Sequence, residues 1–141
     1  MKIKSTSDLL KELSATENFD EFAKENKDYM ISKSLSEHLC ELLIEKKLKK
    51  SEVIKKSEIS SDYAYQIFSG TKSSPTRDKL IPLAIGMGLS VDETSGLLKL
   101  TGLIPLYTKN MRDSIIIFGI NNSKEVCEIN EMLFEKGKGT L

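Results

Sequence analysis

The chain has 141 residues, of which 39% are hydrophobic and 30% charged, as in a single globular domain with a buried core. No apolar run approaches the roughly 18 residues that cross a bilayer, and the polar first residues do not resemble a secretory signal peptide, so we expect a cytoplasmic protein. The net charge is zero, yet residues 46–79 carry nine Lys or Arg and only four acidic residues, which indicates either a phosphate-attracting patch or a solvated lysine surface.

The first 33 residues form an acidic, polar arm in which two short helices are predicted, near 6–14 and 19–29. We expect this arm to be mobile or to dock on a protein partner, although a loosely packed extension of the domain explains the pattern equally well. Its apolar residues are Leu9, Leu10, Leu13, Phe19, Phe22, Tyr29, Met30 and Ile31.

Residues 34–102 show helical apolar spacing with a recognisable chemistry at each helix end. The first three predicted helices span about 35–47, 50–57 and 60–69. The fourth begins after Thr76 and runs toward Gly88, with an internal proline that should kink or shorten it. The fifth begins after Ser90 and stops at Gly102. Capping-box patterns are present in the pairs Ser34 with Glu37 and Ser90 with Glu93.

After Pro105 the chain predicts one more pair of helices. The isoleucine-rich cluster at 115–120 has the β-branching of a short strand, but no second strand exists to pair with it, so a buried helix of about 110–121 is favoured. Residues 121–123 read as a turn and helix cap. The final amphipathic helix ends at Gly137, and its inward residues are predicted to be Val126, Ile129, Asn130, Leu133 and Phe134.

The candidates for catalysis or metal binding are few. Cys40 and Cys127 lie in helical apolar patterns without a Cys or His at metal spacing, which predicts small buried side chains and no disulfide. His38 is the only histidine, and it lies on the polar side of its predicted helix without a partner nucleophile. We therefore expect no enzyme, no catalytic residue, no metal site and no cofactor.

Residues 50–70 fit the plan of a helix-turn-helix, in which one helix enters the DNA major groove while the other braces it on the backbone. With their surroundings they resemble the Xre or lambda-repressor-like family of bacterial transcriptional regulators. The resemblance covers roughly residues 35–101. The matching residues are Val53, Ile59, Ser60, Ile67, Phe68, Gly70, Pro75, Leu80, Leu83, Ala84 and the segment 89–93.

The resemblance implies an all-α protein with three parts. These are the N-terminal arm at 1–33, a five-helix DNA-binding domain at 34–102 and a C-terminal helical hairpin at 103–141. The chain also departs from the family pattern. Ile54 and Ala64 exchange the usual sizes of two inward positions, Glu58 replaces the turn glycine and Lys50 replaces a glutamine. A non-glycine residue at the turn should cost about 1 kcal/mol of left-handed strain or divert the turn.

The same resemblance implies sequence-specific DNA binding, with helix 60–69 as the recognition helix in the major groove and double-stranded DNA as the partner. The implied base-contacting residues are Ser61, Asp62, Tyr63 and Gln66. The implied phosphate-contacting residues are Lys50, Tyr65, Ser69, Lys72, Ser73 and Arg77. Simpler roles stand beside these: Asp62 stabilises the first turn of its helix, the two tyrosines pack or contact phosphate, and Lys72 is a solvated loop residue.

The segment at 106–113 also resembles one found in small bacterial and phage-related regulators of this class. Its Arg112 and Asp113 are available for a salt bridge or a helix cap, and we expect the segment to pack the final hairpin against the domain or to build a homodimer. The alternative function is a protein-interaction adaptor or a kinase substrate on the same helical scaffold, since a fold does not determine a function.

Overall fold

The structure is a computed structural model that describes residues 4–27 and 34–141. In these ranges it is all-α, as predicted, with no strand. The helices are α1 (Thr6–Ala15), α2 (Phe19–Glu25), α3 (Leu35–Glu45), α4 (Lys50–Ser57), α5 (Ser61–Ser69), α6 (Arg77–Gly86), α7 (Val91–Leu100), α8 (Met111–Asn121) and α9 (Val126–Glu135). None of these helices is long and apolar enough to cross a membrane. The chain divides into two compact units, Met1–Ser32 and Lys33–Leu141.

The first unit contains the predicted pair of short helices, α1 and α2. The buried Asn26 side chain accepts a hydrogen bond from Lys4 Nζ at 2.7 Å and donates to Glu12 Oε2 at 2.9 Å. Lys4 Nζ also forms an ion pair with Glu12 Oε1, and the bonds that Glu12 accepts from Lys4 and then from Asn26 lower the pKa of its carboxyl. Helix α2 ends at Glu25, and the predicted burial of residues 29–31 lies outside the described residues.

The second unit contains the five predicted helices of 34–102 within two residues of their expected limits. The capping box predicted at Ser90 and Glu93 is complete, whereas the one predicted at Ser34 and Glu37 has only the bond from the Glu37 N–H to Ser34 Oγ. Thr76 precedes α6 as predicted but makes no side-chain capping bond. Local end chemistry therefore sets most of the helix boundaries.

Pro82, which was expected to kink or shorten the fourth helix, lies inside α6 without ending it. The helix continues four residues beyond this buried proline and ends at Gly86. A Cβ atom at Gly86 would lie 2.6 Å from the Val53 carbonyl oxygen, so the missing side chain permits a close crossing of α4 and α6. Helix α4 is therefore packed directly on α6.

One hydrophobic core joins all seven helices of the second unit. Both size-exchanged residues, Ile54 and Ala64, are buried in it. Ile115 and Ile116 confirm the predicted buried helix in place of a strand. The C-terminal pair contributes Ile116, Ile129 and Leu133 to the same core. The pair is thus an integral layer of this unit.

Three predictions about the C-terminal pair and the cysteines were wrong. Phe134 was expected inward but is 78% exposed, because α9 buries Val126, Ile129 and Leu133 and the next residue after Leu133 turns about 100° away. The same one-residue step exposes Cys127, while Cys40 is only half-buried, and both are free thiols. Of the predicted turn and cap at 121–123, Asn122 caps the end of α8, while the N-cap of α9 is Glu125.

Candidate nucleic-acid interface

The position of helix α5 follows from its apolar residues. Ala64, Ile67 and Phe68 are buried, with α5 packed against α3 and α4. Ser60 Oγ accepts from the Tyr63 N–H at 3.3 Å to begin the helix, and Gly70 ends it in the left-handed region at φ 89°. Because the buried residues recur with helical spacing, the opposite side of α5 faces solvent.

That solvent-exposed side is called the α5 face and consists of Ser61, Asp62, Tyr65, Gln66 and Ser69. Three of the four predicted base-contacting residues lie on it, as do the predicted phosphate contacts Tyr65 and Ser69. The side chains of Asp62 and Gln66 make no hydrogen bond or ion pair with any residue that the structure describes. The α5 face therefore presents polar groups that remain available to a ligand.

Asp62 lies in the first turn of α5, where a carboxylate interacts favourably with the helix dipole. Its simpler structural role is therefore available to it. The carboxylate remains exposed, so it is also placed to accept a hydrogen bond from outside the molecule.

Tyr63, the fourth predicted base-contacting residue, does not lie on the α5 face. Its side chain is half-buried and packs against the hydrophobic core. Lys72 Nζ is 5.0 Å and Lys79 Nζ 5.8 Å from the centre of its ring. Lys79 belongs to α6, so the structure favours packing toward that helix, which was the other role considered for Tyr63.

The three lysines around α5 are called the lysine rim: Lys50, Lys72 and Lys79. Lys50 lies at the start of α4 with its ammonium 5.4 Å from the centre of the Phe68 ring. None of the three forms an ion pair with a carboxylate in the described parts of the chain. Ser73, in the loop between α5 and α6, is exposed and makes no side-chain bond there. The predicted phosphate contacts Lys50, Lys72 and Ser73 thus remain free to bind.

Lys79 was missed by the sequence reasoning. Its partner ring is 16 positions away in the chain and in another helix, so no local motif marks the contact. The available signal was weak: Lys79 follows Thr76 by three residues in a basic stretch.

Arg77 has a different role from the predicted phosphate contact. Its guanidinium donates to both carboxylate oxygens of Asp113, at 2.9 and 2.7 Å, and also to the carbonyl oxygens of Ile104 and Pro105. Asp113 is only 5% exposed. A phosphate contact by Arg77 would break this bidentate pair, so we assign Arg77 to the link between the start of α6 and α8.

A second ion pair, between Asp78 and Arg112, joins the same two helices. The four residues of the two pairs, Arg77, Asp78, Arg112 and Asp113, are called the α6–α8 clasp. Arg112 donates to Asp78 at 2.8 Å and to the carbonyl oxygen of Gly139 at 2.8 Å. The salt bridges expected of Arg112 and Asp113 are therefore present. The clasp also supports the packing role expected for the segment at 106–113.

Sites of other kinds are not evident near α5. In residues 4–27 and 34–141, no group of three or more His, Cys, Asp or Glu is placed to hold a metal ion. Two surface clefts, of about 530 and 840 Å³, lie at the α6–α8 clasp and between α4 and the α8–α9 turn. Neither is lined by a residue of α5. The candidate site is the solvent-exposed side of α5 and lies outside both of these clefts.

Comparison with known protein families, with curated proteins and with solved structures finds no significant match to this chain.

Proposed function

We propose that this protein is a sequence-specific DNA-binding transcriptional regulator of the Xre or lambda-repressor-like kind, with α5 as the helix that enters the major groove. The observation that carries the proposal is the α5 face beside the lysine rim: a convex polar helix surface flanked by ammonium groups that have no carboxylate partner among the described residues. A convex helix fits the width of the major groove, and unpaired ammonium groups attract the phosphates on either side.

The α5 face supplies chemistry for reading bases. Gln66 can pair with the N6 and N7 atoms of adenine, and Asp62 can accept from the amino group of cytosine. Ser61 donates and accepts, so it tolerates several partners. Sequence preference then rests mainly on Gln66, because the Asp62 carboxylate is repelled by neighbouring phosphates.

The rim supplies affinity that does not depend on sequence. Lys50 and Lys72 are the principal phosphate contacts, and the hydroxyl groups of Tyr65, Ser69 and Ser73 add neutral donors. Helix α4 braces α5 through their shared core, and α3–α7 together form the five-helix domain in this proposal. Repressors of this kind bind paired half-sites, so the active form is a homodimer.

A salt titration of binding to random-sequence duplex DNA tests the proposal. Lys50→Ala and Lys72→Ala should weaken binding to every sequence and reduce the slope of log K against log salt by about 0.9 each. Glu131→Ala, an exposed substitution on α9, serves as the control and should leave the slope unchanged. No measurable affinity of the natural protein at about 50 mM salt would sink the proposal.

An adaptor function is the second candidate, and the first unit favours it. Leu10 and Phe19 are 64% and 65% exposed on helices that also carry many acidic residues. Exposed apolar side chains that cluster on one surface mark sites of protein contact. An adaptor predicts no duplex affinity. A regulator with a docking arm predicts that Leu10→Lys and Phe19→Lys leave duplex binding unweakened.

A further inference from the structure

Two ammonium groups share one aromatic ring beside the α5 face. The distances from Lys72 Nζ and Lys79 Nζ to the Tyr63 ring centre are 5.0 and 5.8 Å, so the two charges lie no more than about 10.8 Å apart. Each distance is within the range of a cation–π interaction. One side chain thus holds two like charges from different segments of the chain near each other.

The backbones that carry these lysines are fixed. The Lys72 N–H donates to the Gln66 carbonyl oxygen at 3.0 Å, which ties the loop to the end of α5. A Cβ atom at Gly70 would lie 3.2 Å from Ser36 Oγ, so the start of the loop runs close along α3. Lys79 is anchored by the first turn of α6. The fold therefore sets where the two lysine side chains begin, and their contacts with the Tyr63 ring restrict where the ammonium groups lie, which lowers the entropy lost on binding an anion.

Neither charge is neutralised within the described part of the chain. The nearest acidic residues in sequence are accounted for: Asp78 pairs with Arg112, and Asp62 makes no ion pair with either lysine. Two ammonium groups that repel each other and lack a carboxylate are stabilised by an anion that contacts both. The phosphates of one DNA strand provide such charges at regular spacing.

We propose that Tyr63 is a positioning residue that holds Lys72 and Lys79 as a clamp for consecutive phosphates of one DNA strand. This inference rests on the proposed DNA-binding function, and it assigns Lys79 as a phosphate contact and removes Tyr63 from base reading. The quadrupole of the ring attracts both ammonium groups, so the tyrosine acts on the DNA through the lysines.

The test uses the salt slope of binding to random duplex DNA, because Tyr63→Leu removes no charge. Loss of the clamp predicts a slope reduced by up to about 1.8, from two phosphate contacts at about 0.9 each. Tyr63→Phe keeps the ring and should keep the slope. Tyr107→Leu is the matched control: this exposed tyrosine lies outside the α5 face without a described lysine over its ring, and its substitution should leave the slope unchanged.

The outcomes separate the two proposals. If the natural protein binds DNA and Tyr63→Leu keeps its full salt slope, the clamp is overturned while the regulator stands. A Tyr63→Leu variant that changes sequence preference at an unchanged slope also overturns the clamp, because that is the behaviour of a base reader. If the natural protein does not bind duplex DNA, the proposed function itself fails.

A measurement on the natural protein covers the case in which Tyr63→Leu does not fold. The ε-methylene protons of Lys72 and Lys79 should be shifted upfield by the ring current of Tyr63, and duplex DNA should move both signals together. Lysine signals at ordinary positions that do not respond to DNA would overturn the clamp. Inorganic phosphate is the second probe: an equal response to it at low millimolar concentration would indicate a free-ion site and overturn the assignment to the DNA backbone.

Discussion

The α6–α8 clasp and the α5 face treat charge in opposite ways. In the clasp, Arg77 and Arg112 each donate to an aspartate at 2.9 Å or less. On and beside the α5 face, Asp62 and the rim lysines have no oppositely charged partner among the described residues. The two regions are joined by the first turn of α6, which supplies Arg77 and Asp78 to one and Lys79 to the other.

This difference distinguishes the charged residues that stabilise the fold from those that are available to bind a ligand. A charge paired at short range with a buried partner is costly to remove, because its partner is left desolvated and unpaired. An exposed charge without a partner contributes little to stability and stays free to bind. Substitutions in the clasp should therefore change folding, and those around α5 should change binding.

The largest effect is expected from Arg77→Met. It leaves the buried Asp113 carboxylate without its partner, so the free energy of unfolding should fall by about 3 kcal/mol in urea denaturation. Arg112→Met is the matched control, since its partner Asp78 is 52% exposed, and should cost about 1 kcal/mol or less. Equal losses in the two variants, or a reduced salt slope of DNA binding in folded Arg77→Met, would contradict the assignment of Arg77 to the clasp.

Gln66→Ala should have the next largest effect, on binding alone. The free energy of unfolding should change by less than about 0.5 kcal/mol, because the side chain is exposed and makes no described contact. Discrimination at one base pair should fall by about 1–3 kcal/mol, measured by competition among duplexes of different sequence. An unchanged sequence preference would show that Gln66 does not contact a base. It would also contradict the assignment of the α5 face to binding.

A smaller effect is expected at the turn between α4 and α5. Glu58 adopts φ 60° and ψ 12°, the left-handed conformation that a glycine adopts without strain. Glu58→Gly should raise the free energy of unfolding by about 0.5–1 kcal/mol, measured by urea denaturation. Lys55→Gly, inside α4, should lower it by about 1 kcal/mol. A loss of stability in Glu58→Gly would show that the glutamate makes a compensating contribution.

The smallest effect concerns acid stability at Glu93. The Ser90 N–H and then the Lys46 ammonium lower the pKa of this carboxyl below its ordinary value of 4.5. A carboxyl whose pKa is lowered by folding contributes stability that is fully present above its unfolded-state pKa. This contribution disappears as the pH falls through the lower, folded-state pKa. Glu93→Gln should thus cost less than about 1 kcal/mol at neutral pH, because the side chain is 38% exposed.

Urea denaturation at about pH 7 and about pH 3 measures this difference. The gap between the natural protein and Glu93→Gln should narrow at the lower pH. A gap that is constant with pH would show that the carboxylate charge makes no contribution and that the capping bond alone matters.

Most of the local structure could be predicted because it depends on neighbouring residues. The Ser90 and Glu93 capping box, the Gly70 end of α5 and the helical spacing around Ile67 are all interactions over one or two turns. The family resemblance grouped Ser61, Asp62, Tyr63 and Gln66 on one side of α5, and the structure exposes all of these except the half-buried Tyr63. The predictions for Phe134 and Cys127 were wrong by one helical position. There the apolar pattern identified the helix but not which of two adjacent residues faces the core.

The sequence by itself therefore determined the helices, their order and the exposed side of α5, because backbone capping and apolar periodicity act within a few residues. Only the tertiary structure decided how the basic residues divide between fold and surface. Arg77 and Asp113 are 36 positions apart, and Tyr63 and Lys79 are 16 apart. Contacts at such separations depend on how the helices pack through the apolar core. No local sequence pattern shows which charged residues this packing places next to one another.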